Sequence, residues 1–325
     1  MFLLRFMKKT LFFICCFILL FSSCTTVQYL SYERLQAGDV NFPEQIRRVG
    51  VLSHVPEVVE VEPGIWEGDG QVAAEVLAQE IAGTRYFDQV VIADSAWQKL
   101  DILSDASLPA ERIDSLSQAL GVDALLVFEH IRIELREGEF YLPGSMAVVP
   151  AIDGIVTPVV KAYVPSRPTP LFVMSKSDTL SWAVSPSLTF GQLVKEASEY
   201  AATMPMSHIL PHWTEMDRYY FDGGDADMRD AGVYVREENW EEAAQLWQRI
   251  YEQKQGKKKM RAAYNLALYY EMQDDFVKAG EYLDVADSLA TEGSWERQFI
   301  QLYRVNLKQQ AAEYRKLKIQ MNRFE

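Results

Sequence analysis

Residues 121–135 read GVDALLVFEHIRIEL. Gly121 closes the helical pattern SLPAERIDSLSQALG, which carries Pro109 in its first turn. The next element is a long strand, with Ile131, Ile133 and Leu135 alternating against polar residues. Working back from it, DQVVIADS (88–95) is a second strand. Residues 71–82 form a helix with Val72, Val76, Leu77 and Ile81 on one stripe, stopping at Gly83. RRVGVLSHV (47–55) is a short, β-branched, buried strand. The order is strand–helix–strand–helix–strand, the pattern of an α/β domain whose strands are at least partly parallel.

Working forward, the strands change character after Gly138. TPVVKAYVPS, PLFVMSKS and DTLSWAVS are short, Pro-bounded and alternating, with Leu180, Trp182 and Val184 on one face. They predict an antiparallel meander that extends the sheet. From Gly191 the chain reads as helical to its end. The expected organisation is a leader at 1–23, a tether at 24–45, an α/β domain with a mixed sheet at 46–190 and an all-α domain at 191–325.

The helical half contains a repeat. Ala231, Tyr234, Trp240, Ala243, Trp247 and Ile250 recur 36 residues later as Ala267, Tyr270, Phe276, Ala279, Leu283 and Ala286. Small residues let the two helices of a hairpin approach, and aromatics fill the space between hairpins. The pattern, over about 225–290, resembles the tetratricopeptide repeat, whose usual period is about 34 residues. A fainter copy is Ala197, Tyr200 and Trp213. In the usual register of that repeat, Met228, Arg236, Arg261, Tyr264, Leu268 and Glu271 line a groove open to a peptide. Two repeats are fewer than the three or so that stand alone, so the helices are expected to pack on something else.

The amino terminus has Lys8 and Lys9, then eleven apolar residues at 11–21. A membrane-spanning helix needs roughly 20; the run has the length of a signal-peptide hydrophobic region. Leu20-Phe21-Ser22-Ser23-Cys24 comes directly after it. Small residues before a cysteine resemble the bacterial lipobox, which implies cleavage ahead of Cys24 and lipidation of its thiol. Cys15 and Cys16 would leave with the leader, so neither a disulfide nor Cys-ligated metal is expected. Several acyl chains on one residue make a permanent anchor. No acid occurs after Cys24 until Glu33, which favours the periplasmic face of the outer membrane over the cell surface.

Charge narrows the partners. The formal net charge is −14, and without Arg5, Lys8 and Lys9 the chain has 29 Lys+Arg against 46 Asp+Glu. Such a chain repels phosphate backbones, so no nucleic-acid partner is expected. Candidate chemistry is sparse, and neither a catalytic set, a cofactor nor a metal is expected. His208 and His212 have metalloprotease spacing, but the Glu that chemistry needs is missing and Pro211 interrupts the helix. DGGDADMRD (222–230) lacks the order of a calcium loop, and Asp225 or Asp227 reads as a helix cap. WEGDGQVAAE puts Asp69 where a phosphate would sit. The basic cluster Lys254, Lys257, Lys258, Lys259 and Arg261 reads as a solvated loop. His54 and His130 lie on the first and third strands, near enough in the pattern for His54, His130, Asp69 and Glu129 to meet.

GVDALLVFEHI after a helix resembles segments in the amino-terminal domains of Tol-system and curli-secretion envelope proteins. Cys24, RVGVL, DTLSW, LPHWTEMDRYYFDGGDADMRDA and NWEEAAQLW together resemble a family of Bacteroidota outer-membrane lipoproteins with an α/β half and a tetratricopeptide-like tail. That resemblance implies fold and compartment and carries no activity. The expected function is a non-enzymatic, lipid-anchored protein-binding or scaffold module. The alternatives are an accessory part of an export or assembly machine, or an envelope hydrolase using His and carboxylates at the α/β loops.

Overall fold

The computed structural model describes residues 27–324 apart from 56–57, 94–107, 143, 145–146 and 166. Its strands are β1 (Val27–Gln36), β2 (Arg48–Ser53), β3 (Val59–Glu62), β4 (Ile65–Glu67), β5 (Gln89–Ile92), β6 (Ala124–Tyr141), β7 (Val148–Tyr163), β8 (Phe172–Ser175), β9 (Asp178–Ala183) and β10 (His212–Phe221). Its helices are α1 (Gly70–Thr84), α2 (Ala110–Leu120), α3 (Phe190–Thr203), α4 (Met206–Ile209), α5 (Ala226–Arg236), α6 (Trp240–Gln253), α7 (Gly256–Met272), α8 (Phe276–Leu289) and α9 (Trp295–Met321), with a 3-10 turn at Asn322–Phe324. The described residues divide into two compact units. The α/β unit holds 35–212 with 316–324, and the helical unit holds 27–34 with 213–315. The leader and Cys24 lie outside the described residues.

The α/β unit is built on an eight-stranded mixed sheet whose central path runs β3-β4-β6-β2-β5. β2 is parallel to both β5 and β6. Alternation along the strands separates two cores. Val49, Val51, Ala124, Leu126 and Phe128 join α1 residues Ala73, Leu77 and Ile81 on one face. Leu52, Leu125 and Val127 join α2 residues Ile113 and Leu116 on the other. The two connecting helices therefore cover opposite faces. Gly121 closes α2 in the left-handed region, with φ 67°, and its N–H caps the carbonyls of Ser117 and Gln118.

β7 is longer than its predicted core, and it changes the expected meander. β8 and β9 do not pair with each other; both lie along β7, β9 against 151–156 and β8 against 159–162. Pro158, which has no N–H to donate, falls in the gap between them. α3 also departs from expectation. Val194, Ala197, Ala201 and Ala202 are buried in the α/β core beside α1, so the faint third repeat does not exist: Ala197 and Tyr200 lie on α3, and Trp213 lies on β10.

From Val27 onward the predicted tether is structured. β1 pairs with β10 in a two-stranded sheet. Ala37, Val40, Phe42 and Ile46 are buried, and a side chain at Gly38 would meet the backbone of Ile209 at 2.9 Å. Gln320 donates to the carbonyls of Gly38 and Val40 at 2.8 and 2.9 Å. Arg323 donates to Tyr86 O at 3.1 Å and Pro43 O at 3.2 Å while stacking over the Tyr86 ring. The chain from 191 is likewise not helical throughout, because β10 interrupts it.

The helical unit carries the repeat as two hairpins, α5–α6 and α7–α8. Ala231, Ala243, Trp247 and Ile250 are buried, as are their counterparts Ala267, Ala279, Leu283 and Ala286. α6 and α8 have the same length and stand 36 residues apart. α7 begins early, at Gly256, so of the basic cluster Lys254 alone lies in a loop; Lys257, Lys258, Lys259 and Arg261 sit on the first turns of α7. Cations there oppose the helix dipole. Lys257 pairs with Glu296, Lys258 Nζ lies 2.9 Å from Asp225 Oδ2, and Arg261 donates to Gly223 O at 3.1 Å.

Candidate functional site

Of the six residues expected to line an open groove, Arg236 alone is exposed. Met228, Arg261, Tyr264, Leu268 and Glu271 are buried. The chain fills its own groove with α9 and the end of β10. The Tyr264 ring stacks on Phe299 at 5.3 Å and packs against Tyr303 and Phe221, each at 5.1 Å. Asn265 takes the place of a strand neighbour, donating to Phe221 O at 2.7 Å and accepting from Phe221 N at 2.8 Å. Beneath the rings lies a bidentate ion pair. Arg218 Nη2 and Nε reach Glu271 Oε1 and Oε2 at 2.6 and 3.0 Å, and Tyr303 Oη donates to Oε2 at 2.6 Å. Burial pulls the Arg218 guanidinium down, but the hydrogen bonds and charge of Glu271 outweigh it and hold it above its ordinary value. Burial pushes the Tyr264 and Tyr303 phenols well up. These residues are core, and a peptide reaches them only by displacing α9.

The open groove is elsewhere. Residues two apart on a helix point about 200° from one another, so Leu266 and Tyr270 face away from Tyr264 and Leu268. There α6 and α7 flank a groove of about 550 Å³ lined by Glu241, Ala244, Gln245, Gln248, Arg249, Glu252, Leu266, Tyr269 and Tyr270. Its residue Tyr270 begins a ladder of tyrosines. Tyr270 stacks on Tyr282 at 5.3 Å with an 8° interplanar angle, and Tyr251 meets Tyr282 edge-on at 5.3 Å. Lys278 lies over Tyr270 at 5.0 Å and Lys259 over Tyr251 at 4.5 Å. Tyr282 Oη donates to Gln248 Oε1 at 3.1 Å, and Gln248 Nε2 donates to Glu252 Oε1 at 2.7 Å. Burial first, then the neighbouring Tyr270 and Tyr251, push the Tyr282 phenol up to about 12. The repeat period signals this groove only indirectly: Tyr234 and Tyr270 are its matched aromatics, but Tyr251, Tyr269 and Tyr282 have no counterpart in the pattern.

The α/β unit holds a second cluster. β2 leads through α1 to β5 on one side, and β5 leads through α2 to β6 on the other. The order reverses between β2 and β6, and ligands of such sheets bind at the carboxyl ends of the strands there. His54 comes directly after β2 at that point, its N–H bonded to Phe128 O at 2.8 Å. Glu129 stands in a β-bulge of β6, between Phe128 and His130. Phe128 and Ile131 both face the α1 core, so the bulge leaves Glu129 and His130 together on the α2 face. Glu129 accepts from Tyr163 Oη at 2.5 Å, lies 2.8 Å from His54 Nδ1 and 4.0 Å from Lys161 Nζ. Burial pushes this carboxyl up, but the bonds from His54 and Tyr163 and the charge of Lys161 overcome it and hold it below the usual carboxylate range. An ionised Glu129 orients His54 with its proton on Nδ1. His130 pairs instead with Glu67, at 3.4 Å, and Glu67 Oε1 accepts from Ile131 N at 2.5 Å. Asp69 joins neither pair; it caps α1, accepting from Gln71 N and Val72 N, and so fills the position an anion would take.

The remaining candidates are structural. His208 pairs with Asp39, and His212 contacts Leu210 O at 3.2 Å. Asp225 caps α5, accepting from Asp227 N at 3.3 Å. Among the described residues no group of three His, Cys, Asp or Glu is placed to hold a metal ion, and no helix is long and apolar enough to cross a membrane.

A family described as Domain of unknown function (DUF8603) matches residues 56–221, and a second, Domain of unknown function (DUF6340), matches residues 229–309. The stretch between the two matches lies where β10 gives way to α5. No curated protein matches the chain.

Proposed function

We propose that this chain, which belongs to the family described as Domain of unknown function (DUF8603), is a non-enzymatic binding lipoprotein of the cell envelope. In this reading Cys24 carries the lipid, the periplasmic face of the outer membrane is its place, and the helical unit holds a protein partner. The observation that carries the reading is the open tyrosine-walled groove of α6 and α7. Its polar groups are amides, phenols, carboxylates and one guanidinium, a set suited to recognition. The test is a photo-crosslinking residue in place of Gln245, at the groove, and in place of Val305, exposed on α9 of the same unit. The expected result is a discrete product from position 245 that position 305 does not give. Identical products from both sites would refute it. A crosslinked channel or ring protein would make the chain an accessory part of an export machine.

A second reading, an envelope hydrolase, has its own observation: a buried carboxylate orienting His54 at the switch point of the sheet. It predicts turnover of a chromogenic ester, phosphate or glycoside that His54→Gln abolishes. If no such His54-dependent turnover is found, this reading falls.

A further inference from the structure

We infer that the groove between α6 and α7 takes a cationic segment of a protein partner, a stretch bearing lysine or arginine, with Tyr269, Glu241 and Glu252 as its recognition residues. The inference rests on the binding reading proposed for this groove and specifies its ligand.

Three observations converge on positive charge. The first is the lining. Glu241 and Glu252 are exposed on the groove side of α6. The one cation among the lining residues, Arg249, lies 3.6 Å from Asp227 Oδ2 on α5. Glu252 accepts from the neutral amide of Gln248, a bond that leaves its charge to be matched.

The second is the rings. The tyrosine ladder already holds an ammonium group at each end, Lys259 over Tyr251 and Lys278 over Tyr270. These lysines belong to the chain itself and show the chemistry its ring faces accept. Tyr269 meets Tyr270 at 5.2 Å with a 69° interplanar angle and itself lines the groove. Glu241 lines the same groove as Tyr269, and after burial its charge is the next cause that pushes the Tyr269 phenol up. An aromatic face beside a carboxylate is the arrangement that recognises an ammonium or guanidinium.

The third is size. At about 550 Å³ the groove falls in the range of about 300–1,000 Å³ that holds a small ligand or a few side chains. That suits a short extended segment. The groove for which the repeat is best known is occupied by α9, so this ligand docks on the other side of α7.

The test uses the full-length chain in detergent. Its probes are a short labelled peptide alternating lysine and glycine, the same peptide with glutamate for lysine, and free arginine. The lysine peptide is expected to bind saturably and more weakly as salt rises. Tyr269→Ala and the double variant Glu241→Gln, Glu252→Gln should each weaken it by about 10-fold. The double variant changes two exposed side chains, so a folding failure of Tyr269→Ala leaves the question decidable. Equal binding by wild type and both variants, binding of the glutamate peptide instead, or free arginine binding as tightly as the peptide would each overturn the inference. No binding of any probe also overturns it. If position 245 still crosslinks one envelope protein in that case, the binding reading survives and only the cationic ligand is lost.

Discussion

Replacing Arg218 with Met should be the most damaging change in the helical unit, and its size is set by the geometry. Arg218 and Glu271 are 5% and 0% exposed. The pair is bidentate, and Tyr303 supplies a third hydrogen bond to the carboxylate. Removing the guanidinium leaves a carboxylate in the core with one phenol for a partner. Breaking a buried pair in this way costs about 3–5 kcal/mol. Intact, the same pair contributes little net stability, because its Coulomb energy offsets the desolvation of both ions. The double variant Arg218→Met, Glu271→Leu should therefore recover most of the loss. What it does not recover is the hydroxyl of Tyr303, orphaned by the missing carboxylate at about 1–3 kcal/mol; adding Tyr303→Phe should return that share. The assay is urea unfolding monitored by tryptophan fluorescence, with Trp247 wholly buried in the same unit. With a slope of about 2 kcal/mol per molar urea, the single variant should lose on the order of 2 M in its midpoint. A loss under about 1 kcal/mol, or a double variant no better than the single, would refute the reasoning.

Three further changes test other parts of the molecule. Asn265→Leu strips both partners from the Phe221 backbone inside the core and should cost about 2–4 kcal/mol by thermal unfolding; a near-neutral result would show that water or another group replaces it. Glu129 is held below its ordinary range, so its stabilising contribution is complete above the unfolded carboxyl value of about 4.3 and is lost as pH falls through the lower native value. Acid unfolding of the α/β unit should show that loss, and Glu129→Gln should flatten the curve in the same window; an unchanged acid limb would count against the Glu129 cluster. Cys24→Ala should abolish palmitate labelling and membrane partitioning, and retention of either would sink the lipid-anchor reading of the amino terminus.

The elements legible in the sequence were those whose apolar period is clean. The β2, β5 and β6 strands and the two repeat hairpins carry most of their apolar core residues at spacings of two or of three and four. β10 was hidden for the opposite reason. Its chain, HWTEMDRYYF, does alternate, but one face holds Trp213, Glu215, Asp217 and Tyr219, and the other holds Thr214, Met216 and Arg218. An inward Arg218 erases the contrast between faces, because its partner Glu271 lies 53 residues away. The closed groove failed differently. The period of α7 correctly places Tyr264 and Leu268 on one stripe, but a stripe says only that something covers it. Whether that is a partner or α9 depends on contacts with Phe299 and Tyr303, which no local pattern encodes.

The bulge at Glu129 was written in the sequence, in a form that alternation alone misreads. In ALLVFEHIRIEL the residues facing the α1 core are even-numbered up to Phe128 and odd-numbered from Ile131. The change of parity falls where two polar residues, Glu129 and His130, stand side by side. An unbroken strand would have sent one of them into the apolar core beneath α1. The extra residue keeps both on the α2 face, where each finds an opposite number: His54 for Glu129 and Glu67 for His130. Burying these groups is costly unless every charge is matched, and Glu129 is matched by a phenol, an imidazole and an ammonium. A fold that needed only stability would do as well with an apolar strand here. The polar pairs and the bulge that presents them therefore mark this point of β6, beside the carboxyl end of β2, as the part of the α/β unit shaped by something other than packing.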